Sequence, residues 1–181
     1  MSDLTNLDIK KIKFKKSTDK AGEYKKSFIP FDIETERKCI ISLKNVILPF
    51  GYELYNKKYI LNMEIYPNKS NDHHNIYSIL SAFERNFVDK TINDINLTNE
   101  VDGKGFYSNL KETIKGYMLR TFVYGHPEIF MMIKNFKSSL TSNDIKCTKC
   151  NVDLEFGVVW ITENSYGLGW NVKKIEVVSS L

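Results

Sequence analysis

Trp160 and Trp170 stand in one stretch, Asp153 to Val178, together with Lys173 and Lys174. Indole rings beside ammonium groups offer one kind of binding chemistry. The ring stacks on a flat π-system while the cation neutralises an anion. Burial in a core is the commoner fate of a single tryptophan, so the two rings are weighed against that reading. The local pattern is a hairpin. Leu154, Phe156, Val158 and Trp160 alternate with Glu155, Gly157, Val159 and Ile161, and alternation resumes through Leu168, Trp170 and Val172. A turn on Asn164 and Ser165 places the two tryptophans nearly opposite each other, within reach of a cross-strand contact.

Catalytic chemistry finds little support. Cys147-Thr-Lys-Cys150 has the spacing of half a zinc site, but a structural site needs four ligands and there is no second CxxC. Cys39, His73, His74 and His126 are the residues left to complete it. His73 and His74 are adjacent at a helix start, where their side chains diverge. Two free thiols in a surface loop is the preferred reading, with no metal and no cofactor. Glu34 with Glu36, and Asp153 with Glu155, are spaced for one face of a strand, as in two-metal nucleases. Such acids are far commoner as solvated surface. No HExxH, GxSxG or phosphate-cradling glycine loop occurs, and Asp102-Gly-Lys-Gly105 reads as a flexible turn. The chain is expected not to be an enzyme.

Charge is distributed unevenly. Eight lysines within residues 1–26 face four acids there, a net +4, which is the net charge of all 181 residues. Residues 27–181 therefore balance. A cationic segment of this kind attracts polyanions, through phosphate contacts that weaken in salt, or else serves as a solvated tail or a basic import signal. Within it, Ile12 and Phe14 alternate with Lys11, Lys13 and Lys15, the pattern of a strand with one apolar and one lysine face. Residues 1–26 are read as a lysine-rich segment holding the first strand, and residues 27–181 as a single domain large enough for a sizeable core. No apolar run approaches a membrane span. The start lacks the basic and apolar stretches of a secretory signal, and three cysteines cannot all pair, so a cytoplasmic location is expected. Asn68-Lys-Ser70 and Asn96-Leu-Thr98 are accordingly expected to be unmodified.

The elements that must position these residues are mainly strands. Arg37 to Leu48 is apolar and β-branched and ends at the turn Pro49-Phe-Gly51. Lys57 to Tyr66 alternates. The segment between them, Phe50 to Lys58, reads as a loop mixing aromatics with cations. A helix is expected over His73 to Ile92, with Asp72 as N-cap and Ile76, Ile79, Leu80, Phe83, Phe87 and Val88 at helical spacing. Asp94 to Lys104 reads as a loop and Tyr117 to Tyr124 as a strand. Pro127 to Phe136 is open between helix and strand, and Ser138 to Lys149 reads as an exposed loop. The order is strand, strand, strand, helix, strand and a long hairpin. It matches a mainly β, OB-fold-like barrel of five to six strands with the helix between strands 3 and 4. Another small β-barrel or an α+β sandwich stays open.

Three blocks, Asn45-Val-Ile-Leu-Pro-Phe-Gly51, Lys58-Tyr-Ile-Leu-Asn-Met-Glu64 and Val159-Trp-Ile-Thr through Tyr166-Gly-Leu-Gly-Trp-Asn-Val172, carry a further signal. In that order they resemble the single-stranded-DNA-binding proteins of large cytoplasmic DNA viruses and of yeast cytoplasmic linear plasmids. The resemblance covers about half of the chain. It implies an OB-fold that coats replication intermediates without catalysis or cofactor. Phage-type relatives carry an acidic carboxy-terminal tail that recruits replication partners, whereas this sequence ends Glu176-Val-Val-Ser-Ser-Leu181, which puts such recruitment in doubt.

The expectation is therefore a basic groove lined with aromatics that binds single-stranded DNA, with RNA an open alternative. Lys11, Lys13, Lys15, Lys57, Lys58, Arg120 and Lys173 are the candidates for phosphates. Tyr52, Tyr55, Phe122, Tyr124, Trp160 and Trp170 are the candidates for bases. Tyr52 and Tyr55 are chosen as loop aromatics without core duty, Phe122 and Tyr124 because they share a strand face with Arg120. Replication proteins and a second copy of the chain are further candidate partners, and a membrane is not. Two other readings stay open: a protein-interaction subunit of a viral or plasmid replication complex, marked by an apolar patch without cations, and a binder of RNA, duplex or DNA ends.

Overall fold

The computed structural model describes residues 12–16, 26–32, 40–55, 58–66, 71–94, 101–123, 131–133 and 145–180. In chain order the elements are β1 (Ile12–Lys16), β2 (Lys26–Asp32), β3 (Ile40–Leu48), β4 (Tyr52–Tyr55), β5 (Lys58–Ile65) and α1 (Asn71–Asp94). They continue with β6 (Gly105–Tyr107), β7 (Leu110–Thr113), β8 (Gly116–Val123), β9 (Met131–Ile133), β10 (Thr148–Ile161) and β11 (Ser165–Ser180).

Five strands close into a ring in the order β3-β5-β8-β11-β10 and back to β3. All neighbours are antiparallel except β8 and β11, which meet in parallel at Phe122 and Asn171. That is an OB-like fold, mainly β as the alternation indicated. The long C-terminal hairpin contributes two ring strands. The helix follows the third of the strands read from sequence and precedes the fourth. The first of those strands, β1, lies outside the ring, so α1 joins the second ring strand to the third. β1 pairs with β2, and β2 attaches to β10 through Lys26↔Ile161, Ser27↔Trp160 and Phe28↔Val159.

Period-two patterning builds the core. Leu61, Met63 and Ile65 of β5, Leu119 of β8, Leu154 and Phe156 of β10, and Leu168, Trp170 and Val172 of β11 all point inward and are buried. In β3 the phase slips between Leu43 and Val46. Leu43 opposes Val152 and Val46 opposes Cys150, so two residues of β3 face one of β10, a bulge. Asn45 takes the left-handed conformation there (φ 59°), tolerable for asparagine, and its N–H donates to Asn151 Oδ1 at 3.1 Å. α1 lays Ile76 and Leu80 against the ring. It begins one residue before Asp72, which therefore sits in the first turn. Among the described residues no helix is long and apolar enough to cross a membrane.

Five elements were not anticipated. β2 follows a lysine run and contains Pro30. β4 replaces the expected loop, pairing with β5 from Tyr52↔Leu61 to Tyr55↔Lys58. β6 and β7 occupy a stretch too short to show periodicity. β9 settles part of the ambiguous Pro127–Phe136 segment as strand.

Candidate nucleic-acid interface

Residues directly opposed across an antiparallel pair share a face, so the registers of β4, β5 and β8 assemble one surface. Tyr55 opposes Lys58, Glu53 and Phe122 both oppose Ile60, and Arg120 opposes Asn62. All lie on the outside of the ring. The Arg120 guanidinium sits 5.5 Å from the Tyr55 ring centroid, and Tyr55 is 54% exposed. Arg120 Nε donates to Asn62 Oδ1 at 3.4 Å, and Asn62 Nδ2 donates to Glu53 Oε2 at 3.2 Å. The cation is thus held in position while its aromatic partner stays open to solvent. Phe122 is half-buried beside it, where β8 meets β11. Four expected residues, Tyr55, Lys58, Arg120 and Phe122, are brought to one face.

Tyr52 is a correction. It is a strand residue opposite Leu61, half-buried, and packs against the core and edge-on to Tyr59 (ring centroids 5.7 Å apart, planes at 90°). Alternation along β4 points it the opposite way from Tyr55, so it does have core duty. Leu54 and Tyr59, opposed in register on the face of Tyr52, are exposed, as is Phe50 in the turn before β4.

Trp170 is a second correction. It is fully buried, 4.8 Å from Phe156 between ring centroids and opposite that residue in register. Its Nε1–H donates to Glu84 Oε1 at 3.1 Å. Glu84, 3% exposed, also accepts from the Asn109 N–H at 3.3 Å and from the Ser108 hydroxyl. Asn109 Nδ2 in turn donates to the Leu168 carbonyl. This network ties α1 to β11 and to the β6–β7 connection. No face of Trp170 is left for a base.

Trp160 opposes Gly167, not Trp170, because the chain reverses over Thr162 to Ser165. It is half-buried, with Tyr107 at 6.0 Å between ring centroids and tilted by 52°. Lys173 forms an ion pair with buried Glu155 at 3.0 Å, so part of its charge is already engaged. Lys13 is exposed on β1. Lys15 lies on β1, with its side chain outside the described residues, as are Lys11, Lys57 and Tyr124 altogether.

Sequence reasoning missed Phe106, Tyr107, Lys104 and Lys111. The available signal was aromatics interleaved with lysines in Lys104-Gly-Phe-Tyr107 and Lys111, passed over because Asp102-Gly-Lys-Gly105 reads as a turn. Lys111 Nζ lies 4.0 Å from the Tyr107 ring centroid, and Lys104 Nζ donates to the Thr162 carbonyl at 2.8 Å.

The cysteine motif does not form a ligand pair on the surface. Cys147 is exposed, but Cys150 is the third residue of β10 and is fully buried, which pushes its thiol up to about 11. His73 is engaged at both ring nitrogens. Nδ1 accepts from the Tyr66 N–H at 2.9 Å, which requires Nε2 to carry the proton donated to the Asn45 carbonyl at 2.9 Å. Cys39 and His126 lie outside the described residues, among which no three metal-ligating side chains converge.

No protein-family model matches the chain, and no curated protein does. Among solved structures it is similar to gp2.5, a single-stranded DNA binding protein encoded by bacteriophage T7. The match has a TM-score of 0.50 at 10% identity and covers 80% of this chain and 93% of that one. What the two chains share is the fold.

Proposed function

We propose that this protein binds single-stranded DNA without catalysis, along the outer face of β5 and β8. One observation carries the reading: the guanidinium of Arg120 held against the exposed ring of Tyr55, with Lys58 and Phe122 on the same surface. β5 and β8 are the second and third strands of the ring, and OB folds take oligonucleotides on that face and on the loop before it. Here that loop is occupied by β4. Cations supply phosphate neutralisation, and the rings supply stacking that tolerates any base. The fold shared with gp2.5 supports the same reading. The three sequence blocks support a role in coating replication intermediates of a cytoplasmic viral or plasmid-like element.

The competing interaction-module reading needs an apolar patch free of cations. Exposed Tyr55 shares its face with Lys58 and Arg120, which favours a polyanion there, whereas exposed Leu54 and Tyr59 oppose each other on the other face of β4 and β5. The test is titration with oligo-dT, oligo-rU and a duplex of equal length at low and moderate salt. Tight, salt-sensitive dT binding over duplex supports the reading. Equal affinity for rU extends it to RNA. Absence of binding at low salt overturns it.

A further inference from the structure

A separate cluster of aromatics and cations lies at the tip of the β10–β11 hairpin. β6 runs parallel to β11 with Gly167 beside Tyr107, and Trp160 opposes Gly167 from β10. Trp160, Gly167 and Tyr107 thus form one row across three strands. Gly167 matters to that row. A Cβ there would stand 2.7 Å from Trp160 Cζ2 and 2.8 Å from the Tyr107 carbonyl, so only glycine lets the indole cover the strand so closely. The ring is braced on its far side by Tyr107, itself capped by the Lys111 ammonium.

Topology brings further charge to this end. β2 joins β10 at Ser27↔Trp160 and β1 joins β2 from Lys16↔Phe28, so β1 with its lysines lies one strand away from the strand beside the indole. Exposed Lys13 is close enough to Lys90 of α1 to add to the lowering of that ammonium's pKa, which is chiefly due to burial. Lys104 reaches the hairpin turn itself.

We infer that Trp160, Tyr107, Lys111 and Lys104 form a second platform for single-stranded DNA, one base stacking on the indole and the lysines taking the flanking phosphates. The inference rests on the proposed function, since it extends the same strand to a second patch. A rigid, half-exposed indole with fixed neighbours is preorganised for stacking, and each phosphate-contacting lysine contributes to the salt dependence.

Trp160 is also a built-in reporter, because Trp170 is buried and hydrogen-bonded in the core. The experiment follows tryptophan emission and affinity while oligo-dT is added to the wild type and to Trp160→Phe, Tyr107→Ala, Lys111→Ala and Tyr55→Ala. Phenylalanine keeps a ring over Gly167, and Lys111 is exposed, so both variants leave the fold intact. The expected result is quenching in the wild type that disappears in Trp160→Phe. Tyr107→Ala and Lys111→Ala should each lose roughly three- to tenfold in affinity. Lys111→Ala should also lower the salt slope by about one. Quenching retained in Trp160→Phe, or wild-type affinity in both other tip variants while Tyr55→Ala weakens binding, overturns the second platform alone. A wild type that does not bind dT overturns the proposed function and this inference together.

Discussion

Trp170 Nε1 and Glu84 Oε1 are 3.1 Å apart, and both side chains are buried. A carboxylate on the inner face of a helix and the largest side chain of the core are therefore one structural unit. Glu84 is tolerated there because three donors, from Trp170, Asn109 and Ser108, surround it.

Replacing Glu84 with Leu removes the acceptor and orphans buried donors. The expected cost is about 2–4 kcal/mol in urea unfolding. Trp170→Phe, which keeps a ring in the core but removes one donor and part of the buried volume, should cost about 1–3 kcal/mol. DNA affinity of the folded protein should stay unchanged in both. A loss of affinity at full stability would contradict the assignment of Trp170 to the core.

Tyr55→Ala should weaken single-strand binding by about 1–3 kcal/mol. Because the ring is mostly exposed, the melting temperature should hardly move. Arg120→Lys separates charge from shape. The salt slope should be retained, while affinity falls because an ammonium does not reproduce a planar cation against Tyr55 and Asn62. Fluorescence anisotropy at several salt concentrations reads both.

Gly167→Ala should displace the indole of Trp160, since the added methyl carbon lies 2.7 Å from Cζ2. Overpacking of this kind costs about 1–3 kcal/mol. The emission maximum should shift with it, and Trp160→Phe in the same background should remove that shift.

Alkaline stability follows from two buried groups. Burial pushes Cys150 from 9.0 up to about 11. Burial and the hydrogen bond to Glu64 push Tyr66 from 10.0 up to about 12. Both hold their protons more tightly when folded, so their contribution is complete below pH 9 and is lost as pH rises from about 9 to about 12. Unfolding midpoints should fall across that window, and Cys150→Ala should flatten its lower part. Thiol labelling at neutral pH should modify Cys147 and leave Cys150 intact until the protein unfolds.

Sequence alone determined the elements with long, regular periods. Alternation marked β3, β5, β8, β10 and β11, and helical spacing marked α1, because a buried face repeats its residue types at the period of the backbone. It also identified the joint face of Arg120 and Phe122, two positions apart on one strand. Tertiary structure decided what no period encodes. Register, set by the turn over Thr162 to Ser165, put Trp160 opposite Gly167, three residues and so one face away from Trp170, which left one half-buried and sent the other to the core. Strand pairing turned the expected loop at Tyr52 and Tyr55 into β4 and split the two rings between its faces. Long-range closure placed Glu84 under Trp170 and Tyr107 beside Trp160. These partners lie 86 and 53 positions apart in sequence, so only the path of the chain through the ring could bring them together.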